Sequence, residues 1–272
     1  MNKSQQLQAL KAAEEAALAA GKIMRVNLNR AKIVNEARTH DLKLALDVRC
    51  QQLIQRALRK AIPSAAILGE EGIAGDQNAQ WRWVVDPIDG TVNFAYGIPH
   101  ACVAIALQIQ SEIPTSSKSK PAGWILANGR PYETILGVIH DPFTNEMWSG
   151  LRGAGTFLNG RRVHVSKRDK LADAVVSVGF SKSKKMLQAM LPRLARLVHR
   201  VRKIRMLGAA ALSLAYVAGG RLDVYVEDGV RLWDIAAGGL MVQCAGGQFD
   251  ATPMPGDYVY AMTASNGKLR GI

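Results

Sequence analysis

The sequence predicts a mixed fold, with an N-terminal α+β region over 1–170 and a C-terminal α/β region over 171–272. Three observations lead to this prediction. Two helical patterns precede the first strand, short apolar runs that end on acidic residues follow, and beyond residue 170 strands alternate with helices. Such alternation is typical of an α/β unit.

The first elements are two helices and two strands. Apolar residues recur at helical spacing in both helices, and Pro63 ends the second one. Each strand is a short apolar run that stops directly before acidic residues or glycine. Carboxylates at the ends of buried strands are held rigidly and can converge with groups from other strands. The predicted helices cover 6–24 and 47–61, and the predicted strands cover 66–68 and 83–85.

The middle of the chain predicts further strands around an exposed loop. The segment 111–130 is rich in Ser, Lys, Pro and Gly, which favours a loop. Asp141-Pro142 indicates a turn between two paired strands, and Asn159-Gly160 is a strong signal for a tight hairpin turn. The predicted strands cover 103–107, 135–139 and 146–149. In the C-terminal region, strands and helices alternate over 174–178, 186–201, 209–218, 222–226 and 235–244.

Bulk composition indicates an ordinary globular protein, with 48% hydrophobic and 21% charged residues. No apolar run is long enough to cross a bilayer. Lys11, Glu14 and Glu15 interrupt the N-terminal Ala-rich stretch, so it does not fit a signal peptide. Three widely spaced cysteines suggest neither a disulfide framework nor a zinc site. We therefore expect a cytoplasmic protein without membrane contact.

The net charge of +13 is concentrated between Asp173 and Asp223, where no acidic residue occurs. In the predicted helix, basic residues recur on one face and apolar residues on the other. The basic set is Arg193, Arg196, Arg200 and Lys203, and the apolar set is Leu187, Leu191, Leu194, Val198 and Val201. We interpret this pattern as a surface helix with a solvated basic face. The alternatives are attraction of anionic substrates, or binding of RNA or an acidic partner through 182–205. Nucleic acid is the less favoured partner, because no aromatic residues are interleaved with the basic ones.

The motif that indicates chemistry is the hexad Asp-Pro-Ile-Asp-Gly-Thr at 86–91, directly after an apolar strand. Asp86 and Asp89 are separated by a proline-stiffened turn and can point at one small volume. Two anions close together are unfavourable unless a cation lies between them. Oxygen ligands without a nearby His or Cys favour a hard cation such as Mg²⁺.

Two more acidic positions complete the pattern, Glu70 in a Gly-Glu-Glu sequence and Asp234 in a Trp-Asp sequence. Alone each is weak, because an Asp before Ile-Ala-Ala is most often a helix cap. In this order and at these spacings, however, the three motifs resemble the inositol monophosphatase family over nearly the whole chain. That resemblance implies a layered αβαβα sandwich of the sugar-phosphatase type, a phosphoric monoester hydrolase activity, inhibition by lithium, and a homodimer.

The resemblance also implies the site. Glu70, Asp86 and the carbonyl of Ile88 would bind one Mg²⁺, and Asp86, Asp89 and Asp234 a second. The expected catalytic residues are Glu70, Asp89 and Thr91, which would orient a metal-activated water or accept its proton. The expected substrate contacts are Gly90, Thr91, Ala210, Glu227 and Asp234.

A third metal position is left open. Its ligand would be Asp47, in a segment where the family has a Thr but this chain has Leu44, and where Lys43 adds a positive charge. The substrate is also open among related phosphate monoesters. Val-Asn-Phe at 92–94 and Glu227 favour inositol 1-phosphate or a similar polyol phosphate. The alternatives are fructose 1,6-bisphosphate, histidinol phosphate and a 3′-phosphonucleotide.

Overall fold

The structure, a computed structural model, describes residues 1–30, 32, 34–38, 41–111, 124–127, 130–180 and 184–270. The helices are α1 (Lys3–Asn27), α2 (Ala45–Ala61), α3 (Thr91–Ala95), α4 (Lys184–Val198), α5 (Ala210–Ala218) and α6 (Leu232–Cys244). The first strands are β1 (Val34–Arg38), β2 (Asp41–Leu44), β3 (Ala66–Gly69), β4 (Gly72–Ala74), β5 (Trp81–Asp89), β6 (Cys102–Gln110), β7 (Trp124–Ala127) and β8 (Arg130–Asp141). The remaining strands are β9 (Glu146–Leu151), β10 (Gly155–Leu158), β11 (Arg161–Val163), β12 (Val175–Val178), β13 (Lys203–Arg205), β14 (Val224–Arg231), β15 (Gln248–Pro253) and β16 (Val259–Ser265).

Two large mixed sheets organise the described residues. The first has the strand order β11-β10-β9-β8-β6-β5-β3-β4, with β7 paired to β8. The second has the order β13-β12-β14-β16-β15. A separate two-stranded ribbon, β1-β2, precedes α2. The functional carboxylates predicted from sequence thus belong to different parts of the fold, and their meeting depends on how these sheets are stacked.

The layers are stacked as helix, sheet, helix, sheet, helix, which confirms the predicted αβαβα sandwich. Alternate residues of β5 face opposite layers, because side chains alternate along a strand. Trp83 packs towards α1 and α2, whereas Val84 packs towards α5 and α6. The helices α5 and α6 also cover one face of the second sheet, and Met190 of α4 packs on its other face.

The central helices lie in close contact with the first sheet. At Gly137 in β8, an added Cβ would come within 2.9 Å of the backbone of Ala237 in α6. Only glycine permits β8 and α6 to approach each other this closely, and the contact fixes the position of α6 on the sheet. The core is therefore continuous across residue 170, and the division into 1–170 and 171–272 stays a prediction.

Most predicted elements are present. The helix expected over 6–24 extends over Lys3–Asn27, and the one expected over 47–61 begins two residues earlier, at Ala45. β8 and β9 pair around Asp141-Pro142 as predicted. Asn159 and Gly160 form the tight turn between β10 and β11, and both have positive φ (48° and 76°).

The prediction of a continuous exposed loop over 111–130 is wrong in part. Residues 124–127 form β7, which pairs with the start of β8, and both Ile125 and Ala127 are buried. The prediction gave more weight to the polar residues of 111–130 than to the apolar Trp-Ile-Leu-Ala run at 124–127. Residues 112–123 and 128–129 lie outside the described part of the chain.

The predicted apolar face of α4 is also wrong in part. Leu187, Leu191 and Val198 are exposed, whereas Met190 and Leu197 are buried against the second sheet. Because Met190 and Leu197 are seven residues apart, they share one stripe of the helix, rotated from the predicted one. The helix ends at Val198, so Lys203 belongs to β13 and not to a basic helical face.

No helix within the described ranges combines the length and the apolar character that crossing a membrane requires.

Candidate active site

Glu70 and Asp86 are brought together by the pairing of parallel strands. Gly69 of β3 lies opposite Val85 of β5, and the N–H of Glu70 donates to the carbonyl of Val85 (3.1 Å). Each acidic residue directly follows one member of this pair. The register of the sheet therefore places the two carboxylates at one edge, as expected for strands that end side by side.

Asp86 and Asp89 lie within β5, not in a turn after it, which corrects the sequence prediction. Their partners on β6 are Ala104 and Cys102, so three steps along β5 match two along β6. This irregularity has the geometry of a β-bulge. Residues three apart on a regular strand would face opposite sides, and one extra residue restores the same side. The bulge is thus what allows both carboxylates to reach one site.

Asp89 connects the hexad to the C-terminal half of the chain. Its two carboxylate oxygens accept hydrogen bonds from the N–H groups of Ala210 (3.1 Å) and Ala211 (2.8 Å), at the start of α5. The thiol of Cys102 lies 3.5 Å from the same carboxylate. Asp89 therefore caps a helix 121 residues away. The N–H of Ala210 serves this contact, and its expected role towards substrate stays a prediction.

Asp47 and Asp234 occupy equivalent positions in the first turns of two other helices. The carboxylate of Asp47 accepts from the N–H of Leu44 (2.8 Å) at the start of α2. That of Asp234 accepts from the N–H of Arg231 (2.7 Å) at the start of α6. Asp47, Asp89 and Asp234 thus each lie at the start of a helix, where a negative charge is favourable.

The end of the hexad forms a tight connection into α3. Gly90 has φ of 89°, and an added Cβ would lie 2.9 Å from the carbonyl of His100, so glycine is required there. The hydroxyl of Thr91 donates to the carbonyl of Ile88 (2.9 Å). Two predicted site residues therefore touch directly. α3 itself is a single turn, so its dipole contributes little to binding of an anion.

The carboxylates share one electrostatic environment. Burial raises the pKa of Asp86 well above its ordinary value, and neighbouring carboxylates add to the rise. In decreasing order of effect, these neighbours are Glu70, Asp89, Asp234 and Asp47. Burial, followed by Asp234, raises the pKa of Asp89 to about 7, although its backbone hydrogen bonds oppose the rise. The five predicted acidic residues thus act on one another through space.

The chemistry of this set fits a hard divalent cation. The side chains are all carboxylates, Asp86 and Asp89 are buried, and their mutual repulsion is the condition that a bound cation relieves. As oriented, no group of three or more His, Cys, Asp or Glu side chains in the described ranges could close around one ion.

Glu227 lies inside β14, which corrects the expectation that it follows the end of a strand. It pairs with Met262 of β16, and the irregularity of this pairing comes after it, at Asp228. The hydroxyl of Tyr225 donates to its carboxylate. Of the nearby arginines in sequence, Arg221 donates to the carboxylate of Glu146 and Arg231 donates to the carbonyl of Asp257.

Three residues around the site were not predicted from sequence. Gln51, one turn after Asp47, accepts from the N–H of Glu71 (2.9 Å) and donates to the carbonyl of Gly72 (3.0 Å). It thereby fixes the turn that carries Glu70. Asn93 in α3 donates to the carbonyls of His100 and Leu207. It thereby connects the helix after the hexad to the segment that precedes α5. The third is Tyr225, whose phenol pKa is raised well above its ordinary value by burial, then by Glu227, Asp89 and Asp234. For Gln51, the available signal was helical spacing of four from Asp47.

The comparison with known proteins matches this geometry to a family. The model of the inositol monophosphatase family matches residues 5–121 and 126–263. The chain belongs to the inositol monophosphatase family. An inositol monophosphatase of Mesembryanthemum crystallinum is 34% identical over 268 residues, covering 96% of this chain and 92% of that protein. The Nus factor SuhB of Xylella fastidiosa is 37% identical over 237 residues, covering 86% and 78%.

Comparison with solved structures supports the same family. The extragenic suppressor protein SuhB of Bartonella henselae has a TM-score of 0.80 and 32% identity, covering 95% of this chain and 93% of that chain. As a member of the inositol monophosphatase family, the protein is a phosphatase, a phosphoric monoester hydrolase that acts on a small-molecule phosphate ester. The family is in general metal-dependent, which agrees with the cluster of carboxylates at the site.

Proposed function

We propose that the protein hydrolyses inositol 1-phosphate or a similar polyol phosphate in a Mg²⁺-dependent reaction, with a water molecule as nucleophile. The observation that carries this proposal is the convergence on Asp86 of Asp89 from the same strand and of Glu70, Asp234 and Asp47 from other parts of the fold. Such a set is unfavourable on its own and favourable around cations. When bound, Mg²⁺ would neutralise charge on the phosphate ester and make a bound water more acidic.

Five acidic residues and one backbone carbonyl are the proposed metal ligands. Glu70, Asp86 and the carbonyl of Ile88 would hold one ion, and Asp86, Asp89 and Asp234 the other. Asp47 would take part in a third. Two ions, with the third at Asp47 optional, are therefore the proposed metal content. Homodimer formation is proposed on the family resemblance alone.

Glu70 and Thr91 are the proposed groups that orient the water or accept its proton. The Thr91 hydroxyl is already directed at the carbonyl of Ile88, at 2.9 Å. A hydroxyl held in this way can accept one hydrogen bond from water while it donates another. The backbone of Gly90 and Thr91 would contact the phosphate.

Preference for a polyol phosphate rests on Glu227. Its carboxylate lies on β14 near Asp89 and Asp234, because all three act on the phenol of Tyr225. A carboxylate there can accept hydrogen bonds from hydroxyls that neighbour the phosphate ester. Such charge-assisted bonds contribute about 1.5–3 kcal/mol each.

The test is phosphate release from inositol 1-phosphate, fructose 1,6-bisphosphate, histidinol phosphate and 3′-phosphoadenosine 5′-phosphate, each with and without Mg²⁺. We expect the highest kcat/KM for inositol 1-phosphate and no turnover in EDTA. A higher kcat/KM for the nucleotide would reject the polyol assignment. Turnover that persists in EDTA would reject the metal assignment.

A second candidate function is binding of RNA or an acidic partner through 182–205. It is favoured by the exposure of Arg196, Arg202 and Arg205, and by relatives whose name is Nus factor. Retention of RNA that falls steeply with salt would support it. Weak retention at near-physiological salt would leave the phosphatase as the sole proposal.

A further inference from the structure

The carboxylate of Glu227 is held on one side by a buried phenol. Tyr225 and Glu227 are two apart on β14, so their side chains lie on the same face of the sheet. Tyr225 is 3% exposed and has little freedom to move. Its hydroxyl donates to Oε2 of Glu227. Because a carboxylate has about four acceptor positions, this bond does not exhaust its capacity for ligand hydroxyls.

The same carboxylate also lies against Gly179. This residue follows β12, and its N–H donates to the carbonyl of Val226 (3.0 Å), directly before Glu227. An added Cβ at Gly179 would lie 1.7 Å from Oε2 and 2.0 Å from Cδ of Glu227. Any larger residue would therefore displace the carboxylate. The space for one orientation of Glu227 exists because this residue has no side chain.

We propose that Tyr225 and Gly179 are positioning residues that fix the orientation of Glu227, and that this pair sets the preference of the site for phosphate esters with neighbouring hydroxyls. The inference rests on the proposed function. A long side chain such as Glu loses considerable rotational freedom when it binds a ligand. A carboxylate already fixed by Tyr225 has lost that freedom in advance, so more of the binding free energy is retained.

The experiment compares two substrates in saturating Mg²⁺, inositol 1-phosphate and p-nitrophenyl phosphate, which has no hydroxyl to bind. Tyr225→Phe removes only the hydroxyl. We expect it to lower kcat/KM for inositol 1-phosphate about three- to tenfold, which corresponds to the loss of one hydrogen bond. The loss should be mainly in KM, and kcat/KM for p-nitrophenyl phosphate should change less than about twofold.

The control is Tyr260→Phe. Tyr260 is also buried, but its hydroxyl donates to the carbonyl of Leu126 (2.8 Å), away from Glu227. This variant should leave the ratio of the two kcat/KM values unchanged. Gly179→Ala should lower the ratio in the same direction as Tyr225→Phe. Thermal unfolding of each variant reports whether the fold is kept.

A double variant separates positioning from general support. If Tyr225 acts through Glu227, Tyr225→Phe should have no further effect on the ratio once Glu227→Gln is present. An unchanged ratio in Tyr225→Phe, or equal losses on both substrates, would overturn the inference. A wild-type protein that hydrolyses p-nitrophenyl phosphate but not inositol 1-phosphate would instead overturn the proposed function.

Discussion

Replacing Asp86 by Asn should abolish activity and at the same time stabilise the metal-free protein. Asp86 is 2% exposed and interacts unfavourably with four carboxylates. Asn has the same shape, and its oxygen can keep the hydrogen bond that Asp86 accepts from the N–H of Ile88 (3.0 Å). The substitution therefore removes the charge but keeps the local contact. A residue retained for function at a cost in stability responds in this way.

The magnitude of the stabilisation follows from the cost of the buried charge. Burial and four neighbouring carboxylates raise the pKa of Asp86 well above its ordinary value, and an unpaired buried charge is strongly unfavourable. We expect Asp86→Asn to raise the free energy of unfolding by about 2–4 kcal/mol in EDTA at pH 8. For a chain of this size, that is an increase in Tm of about 5–10 °C.

The direction in which this stabilisation changes with pH follows from the raised pKa of Asp86. Below the ordinary pKa of an aspartate, the group is protonated in both the folded and the unfolded protein, and Asn gains nothing. As pH rises, the unfolded protein loses this proton first, and ionisation in the folded protein becomes costly. The advantage of Asp86→Asn in EDTA should therefore grow from pH 4 to pH 8.

The assay is unfolding with and without Mg²⁺, together with phosphate release. Ligand at 100 times its Kd stabilises wild type by about 2.7 kcal/mol, and Asp86→Asn should lose most of this gain. The control is Asp250→Asn, the same change at an exposed strand position. The reasoning would be refuted by a variant that is less stable than wild type in EDTA and that keeps either its activity or the full response to Mg²⁺.

Three further predictions concern the metals and the fold. Li⁺ should inhibit uncompetitively with respect to substrate, and full activity at high millimolar Li⁺ would mean that the second metal position departs from the family. Lys43→Val should lower the Mg²⁺ concentration for half-maximal rate, since it removes a positive charge from the segment of the third position; an unchanged titration would place Lys43 away from it. Asp223→Asn should lower the free energy of unfolding by about 2–4 kcal/mol without changing the Mg²⁺ titration, because the fully buried Asp223 accepts from Arg168 (2.7 Å) and from the N–H of Val175 (2.7 Å). Urea unfolding checks the last prediction, and a loss below about 0.5 kcal/mol would contradict it.

Local patterns in the sequence gave correct predictions where the cause is local. The Asn159-Gly160 turn formed because both residues tolerate positive φ. The helix α2 follows its apolar periodicity, with Ile54 and Leu58 buried, whereas in α1 Leu7 and Leu18 are exposed and the buried stripe consists mainly of alanines. β13 and β15 were not predicted, since they are short or carry polar residues, and their pairing with neighbouring strands is what stabilises them. β16 was also not predicted, although Tyr260, Met262 and Ala264 alternate along it as buried residues.

By itself, the sequence indicated the residues that are proposed to carry the chemistry. The acidic residues at the ends of apolar runs, and their order along the chain, were sufficient to indicate the family and a metal-dependent phosphatase. A carboxylate directly after a buried strand lowers stability, so its presence there indicates a function.

Only the tertiary structure decided how these residues meet. The bulge in β5 turns Asp86 and Asp89 to the same side, and Asp89 reaches the start of α5 far along the chain. Tyr225 and Glu227 share a face of β14 by the alternation of a strand, but only the packing of β14 between other strands buries the phenol. The other contacts join residues distant in sequence, or depend on a register one residue out of phase. Local periodicity therefore cannot encode them, and the stacking of the layers fixes them.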